Sequence, residues 1–179
     1  MALYSEVRAA IRRAAIGALN EYTNPQVIFS HNNGAEPAES YVVINILEDR
    51  QIGHHMTSTL ANTSDQLSIQ TSSEIMVQFS FIGSLSGDMS KSFSQRINNN
   101  PVALEELKRN KLGILRKSQI RRAPQKRDTK WVEYHNIDVT FNYIANTNQV
   151  VDIVEGVVLE DNTSEIPLLI KIPESIIYP

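Results

Sequence analysis

The chain of 179 residues, 41% apolar and 21% charged, is long enough to bury the core of one domain and short for two. The absence of cysteine excludes disulfide staples, cysteine zinc sites and thiol nucleophiles, and no apolar run approaches the ~18–20 residues of a membrane span. A net charge of −3 hides an asymmetry: ten of the seventeen basic residues lie in 108–130 with one acid, Asp128, whereas 131–179 holds eight acids and one base, Lys171. Residues 1–20 lack the continuous apolar core and small-residue cleavage site of a signal peptide. The expectation is a soluble, intracellular, single-domain protein.

Helical spacing opens the chain. Leu3, Val7, Ala10, Ile11, Ala14 and Ala18 share one stripe, with Glu6, Arg8, Arg12 and Arg13 mostly off it. This helix should end near Asn20 to Thr23, because Pro25 disfavours a helical Asn24. Residues 26–30 read as a short strand and 31–40 as a loop carrying the Asn33-Gly34 turn signal. Residues 41–47 are apolar on both faces, as in a central strand. Residues 48–68 are polar and predict a long loop, a class that usually contacts a partner or stays mobile. Ile75, Val77, Phe79 and Phe81 then alternate with polar residues, which predicts a long strand with one apolar face.

After the Gly83 to Asp88 turn, with Ser86 or Asp88 as the expected N-cap, Met89, Phe93 and Ile97 mark a helix. A second short helix is expected over Val102 to Lys108, with Pro101 at or near its first turn, and Gly113 closes that unit. Residues 114–120 suggest a strand and 121–130 a basic loop. Ile137, Val139, Phe141 and Tyr143 alternate with polar residues, and after a turn at 145–148 the pattern resumes at Val151, Ile153, Val157 and Leu159. This pair reads as an antiparallel hairpin. The order αβββααβββ predicts an α+β sandwich: a mostly antiparallel sheet with the N-terminal helix and the mid-chain helical pair on one face. Its expected extent is 1–160, followed by a C-terminal extension, 161–179, that is an edge strand or an arm.

Motifs for chemistry are absent. Gly83, Gly87 and Lys91-Ser92 miss the phosphate-loop spacing, and no dinucleotide fingerprint or serine elbow occurs. His54 and His55 are adjacent, so on an extended chain they point to opposite sides and chelate one metal poorly. The carboxylate pairs Glu48-Asp49 and Glu105-Glu106 read as surface charge. No catalytic residue, metal site or cofactor is assigned, and the protein is not expected to be an enzyme. The basic block, with Arg116, Lys117, Arg121, Arg122, Lys126, Arg127 and Lys130, has three open readings: a solvated loop, a charge contact between subunits, or contact with DNA.

Most of the chain resembles the tail-terminator, or neck terminator, proteins of tailed bacteriophages. The resemblance runs through the N-terminal helix, the strand at 41–47, the segment Ile-Met-Val-Gln-Phe-Ser-Phe-Ile-Gly at 75–83 and the helix at 89–98. It continues through Leu112-Gly113-Ile114, the Trp-Val-Glu-Tyr-His-Asn-Ile-Asp-Val-Thr-Phe-Asn-Tyr segment at 131–143 and the Val-Asp-Ile-Val-Glu-Gly-Val-Val-Leu segment at 151–159. It implies a structural virion protein of the tail or neck, assembled in the host cytoplasm. Six copies would form a ring on the last tail-tube ring, cap tube growth and join the tail to the head connector. Implied partners are further copies of the chain, the tail tube protein, the head connector or neck protein and the sheath protein. Genome DNA would pass through the lumen without sequence-specific binding, and no membrane is involved.

Cyclic rings need two complementary patches per subunit. Expected subunit-interface residues are therefore Arg116, Lys117, Arg121, Arg122, Lys126 and Arg127, facing Asp152, Glu155, Glu160 and Asp161 of a neighbour. Charge reversal of Arg121 and Arg122 should weaken the ring. The basic loop is expected away from the lumen or paired, because bare cations there would retain DNA. Glu48, Asp49, Arg50, His54, His55 and Asp65 are the expected contacts to tube or connector. Two alternatives stand beside the terminator: a nucleic-acid-binding accessory protein using 108–130, and a connector-stopper ring.

Overall fold

The apolar stripe and the alternating runs become a helical layer over a sheet in the computed structural model, which describes residues 4–31, 34–59, 66–150, 157–159 and 168–170. Helix α1 (Tyr4–Ala18) buries Val7, Ala10, Ile11, Ala14 and Ala18, the stripe read from the sequence. Asn24 then takes a left-handed φ of 53° ahead of Pro25, a conformation Asn tolerates, and the chain turns into β1 (Gln26–Phe29). Strands β2 (Tyr41–Thr59) and β3 (Gln66–Ile82) lead to α2 (Ser86–Arg96) and α3 (Pro101–Arg109). At the start of α3 the Asn100 side chain accepts hydrogen bonds from the Val102 and Ala103 amides, and Pro101 occupies the first turn as expected.

Strand β4 (Gly113–Lys117) follows, then the short β5 (Arg121–Arg122), β6 (Gln125–Arg127) and β7 (Lys130–Val132), and the long β8 (Tyr134–Val150). Among the described residues the main sheet has the order β1-β2-β3-β8-β4, with β5 also on β8. It is mostly antiparallel, as predicted; β1 joins β2 in parallel, Val27 opposite Val42 and Phe29 opposite Ile44. The fold class is α+β.

One parity of each central strand faces the helices. Val42 and Ile44, then Ile75, Val77, Phe79 and Phe81, then Ile137, Val139, Phe141 and Tyr143 pack with Met89, Phe93, Ala103, Leu107 and the α1 stripe in one core. The opposite parity is polar: Gln78 donates to Asp138 at 3.2 Å and Ser30 to Asn45 at 3.0 Å. A small apolar cluster of Tyr41, Ile82 and Tyr134 closes one end of that face.

Four expectations are corrected. The loop predicted over 48–68 is strand at both ends: residues 48–59 continue β2 and 66–68 begin β3. Backbone pairing extends these strands although their side chains offer no one-sided apolar pattern, the signal that period-2 reading detects. The turn predicted at 145–148 is interior to β8, and β9 (Val157–Leu159) pairs antiparallel with β10 (Leu168–Ile170), not with residues 137–143. The basic loop contains a hairpin of β6 and β7 that turns at Asp128, φ 51°. Finally, neither Ser86 nor Asp88 caps α2. Leu85 occupies that position, and its amide donates to the Ser40 hydroxyl at 3.0 Å, while the Ser86 hydroxyl lies 3.0 Å from His135 Nδ1.

The chain divides into two compact units. The first comprises Met1–Met56 and Gln70–Thr147 and contains the helices and the core. The second comprises Thr57–Ile69 and Asn148–Pro179 and includes the β9–β10 pair.

Candidate interaction surfaces

Four of the ten basic residues in 108–130, Arg109, Arg121, Arg122 and Arg127, hold carboxylates of their own chain. Strand β5 pairs with β8, Arg121 opposite Asn136 and Arg122 opposite His135, which brings both guanidiniums to acids flanking that register. Arg121 binds Asp138, and Arg122 forms a fork with Glu133, with Nε 2.9 Å from Oε2. Arg127 binds Glu36 and also donates to the Tyr134 hydroxyl, its guanidinium 5.4 Å from that ring centroid. Arg116 Nε donates to Thr140 Oγ1 at 3.1 Å, and Lys117 donates to the Ser94 carbonyl. Lys126 is exposed on β6, opposite Trp131. The expected acidic partners Asp152, Glu155, Glu160 and Asp161 lie outside the described residues, as does Asp65.

Intrachain pairing changes how a charge reversal reads. R121E and R122E would set glutamate beside Asp138 and Glu133 of the same chain. Neutral R121Q and R122Q avoid that repulsion, and exposed pairs of this kind contribute about 0–1 kcal/mol each to folding.

The residues expected to meet tube or connector lie on β2. Arg50 bridges Glu74 at 2.9 Å and lies 3.9 Å from Glu48, and Asp49 accepts from the Tyr143 hydroxyl at 3.0 Å. His54 is exposed further along β2, and His55 follows it in the strand.

Two buried tyrosines tie carboxylates to the sheet. Burial, and secondarily the hydrogen bond to Asp49, pushes Tyr143 up to about 12. Burial, followed by the 2.5 Å hydrogen bond to Glu36, does the same to Tyr41, also to about 12. The Tyr41 hydroxyl in turn holds the Glu36 carboxyl below its ordinary range, with Arg127 adding to that effect. A phenol whose folded pKa lies above the unfolded value of about 10 favours folding fully below pH ~10, and that contribution disappears as pH rises from ~10 to ~12. Each tyrosine should account for roughly 2–3 kcal/mol of alkaline destabilisation. Urea midpoints of wild type and Y143F at pH 9 and 11.5 check this. The variant should lose markedly less stability across the interval, and parallel losses would contradict the assignment.

Among the described residues no three His, Asp or Glu side chains are grouped to hold a metal ion, and no helix is long and apolar enough to cross a membrane. What the surfaces offer is a mostly polar sheet face, a basic block in which Arg121, Arg122 and Arg127 are paired, and a long charged strand. With those surfaces goes a direct comparison: residues 1–165 match the family described as Phage neck terminator protein. The chain belongs to the phage neck terminator family. That family is structural, not enzymatic, and gives the terminator chain a place in the tail or neck of the virion and a role among tail and head proteins. No curated protein matches the chain.

Sequence reasoning missed one basic feature of this terminator. Arg8 and Arg12 were read only as the polar side of α1, yet they flank β1, where Arg12 Nε donates to the Val27 carbonyl at 2.8 Å. The available signal was their i, i+4 spacing with no acid three or four residues from Arg12.

Proposed function

We propose that the chain forms a closed ring, of about six copies by analogy with its family, on the head-proximal end of the tail tube, where it stops tube growth and joins the head connector. The family match over residues 1–165 carries this reading. The fold is compatible with it: among the described residues the helices cover one sheet face and leave most of the other face and the β1 edge to neighbours. The strand β2, with Glu48, Asp49, Arg50 and His54, is our choice for the contact with tube or connector, the sheath protein being a further partner.

Self-neutralisation of Arg121, Arg122 and Arg127 supports a lumen through which DNA passes without being held, wherever this hairpin lies in the ring. It also bears on the alternative of a duplex-binding accessory protein, because a phosphate contact through Arg121, Arg122 or Arg127 would first have to displace a carboxylate. Negative-stain electron microscopy with a native mass tests the proposal. Closed rings, alone or on purified tail tubes, are expected. Absence of assembly on tubes, together with salt-dependent duplex binding, would replace it. Binding of the ring to isolated connectors but not to tubes would make it a stopper.

A further inference from the structure

Strand β1 ends the sheet, with β2 its one neighbour among the described residues. In a strand each residue sends its N–H and C=O to the same side, and successive residues alternate sides. The Ser30 amide bonds the Ile44 carbonyl on β2 at 2.8 Å, so Ile28 and Ser30 face inward while Val27 and Phe29 face the open edge. Arg12 reaches the Val27 carbonyl from that outer side, as this alternation requires. A cleft of about 360 Å³ follows the edge from Val27 to His31, and Arg8 and Arg12 form its other wall.

Arg8 is built into that wall. Its guanidinium sits 4.4 Å from the Phe29 ring centroid and 5.8 Å from that of Tyr4, and its Nε is buried with no hydrogen-bond partner. Leaving such a donor unsatisfied is unfavourable, and among the described residues its own chain supplies no acceptor. Among the described residues seven of the ten arginines form ion pairs; Arg8, Arg12 and Arg116 do not, and Arg116 donates to Thr140 instead.

We propose that this edge receives an extended, carboxylate-bearing segment of a second copy of the chain, which adds a strand to β1 and sets its acid on Arg8 and Arg12. The proposal rests on the ring reading and specifies one of its contacts. The occupant is drawn from the stretch 152–165, which carries Asp152, Glu155, Glu160, Asp161 and Glu165 and no Lys or Arg, its β9 residues 157–159 keeping their pairing with β10. Arg121, Arg122 and Arg127 of the basic block are a poorer destination for these acids, since they already hold carboxylates of their own chain. Strand addition takes its affinity from main-chain hydrogen bonds, and the two guanidiniums select an acidic segment.

The test mixes equal amounts of ¹⁴N- and ¹⁵N-labelled R8K chains, allows assembly with or without tubes, and applies a zero-length carbodiimide. Position 8 of one isotope should couple to an acid within 152–165 of the other. Coupling only within one isotope, to an acid elsewhere, or not at all overturns the proposal. In parallel, R8E should lower the assembled fraction at least tenfold with an unchanged melting temperature, and R8Q gives the same reading should R8E melt early. Wild-type rings accompanied by equally abundant R8E rings would remove this contact and leave the ring intact. Wild type that fails to assemble even on tubes would overturn both.

Discussion

Replacing Phe93 by alanine should cost this protein about 3–5 kcal/mol, a large fraction of the stability of a typical domain. Phe93 is fully buried on α2, and its ring lies 4.7 Å from that of Phe79 and 5.3 Å from that of Phe81, both tilted. It is thus the side chain through which α2 grips the middle of β3. Truncation removes the transfer free energy of a ring, leaves a cavity between two fixed strand residues and forfeits two ring contacts of about 0.5–1.5 kcal/mol each. F93L, which refills part of the space, should lose less than half as much. Urea denaturation with fitted m-values measures both, and a loss below about 1 kcal/mol in F93A would mean that the helix is not anchored there.

The second large effect is expected at Gly83, through the backbone. Its φ of 109° lies where side-chain-bearing residues are rarely found, and a Cβ there would stand 2.6 Å from Ser40 Oγ and 2.9 Å from Ser40 Cα. The same turn is closed by the Gly83 amide on the Glu133 carbonyl at 3.1 Å and the Leu85 amide on the Ser40 hydroxyl. G83A should therefore destabilise by at least about 2 kcal/mol, combining conformational strain with a clash against backbone. Removing the Ser40 side chain in S40G/G83A relieves contact with Oγ but not with Cα, nor the strain in φ, so it should recover only a minor part. Full recovery in the double variant would show that the Ser40 side chain alone dictates glycine at this turn.

Where a residue pattern had a buried side to report, it was legible. The α1 stripe, the odd-numbered apolar residues of 75–81 and 137–143, the Met89-Phe93-Ile97 repeat and Pro101 at the start of α3 all stand where periodicity and turn chemistry put them. Residues 48–59 were misread for the complementary reason. Leu47, Ile52 and Met56 are exposed, so the alternation that betrays a half-buried strand is missing. Residues 145–148, an Ala-Asn-Thr-Asn sequence that elsewhere turns a chain, run straight through β8 because a neighbouring strand is there to bond them. For the candidate surfaces, the charge count located the basic block but not its internal carboxylates: Glu36 is 91 residues from Arg127, a distance in sequence that no spacing rule spans. The Arg8 and Arg12 wall was hidden for a different reason, since its significance comes from an unpaired strand edge that only the sheet order reveals.

The reach of β2 has a consequence for how the molecule breathes. Nineteen residues of strand extend roughly 60 Å, whereas the fifteen residues of α1 span about 22 Å. Val42 and Ile44 are locked under the helices and Tyr41 is buried on the opposite face, but from Leu47 to His54 the chain is exposed. Amide protons along this one ribbon should exchange with deuterium on two clocks: slow over 41–46, where opening requires breaking the core, and orders of magnitude faster beyond Leu47, where little more than the ladder itself resists. Along one strand the chain thus passes from a stretch fixed by its own core to a stretch held chiefly by its backbone ladder.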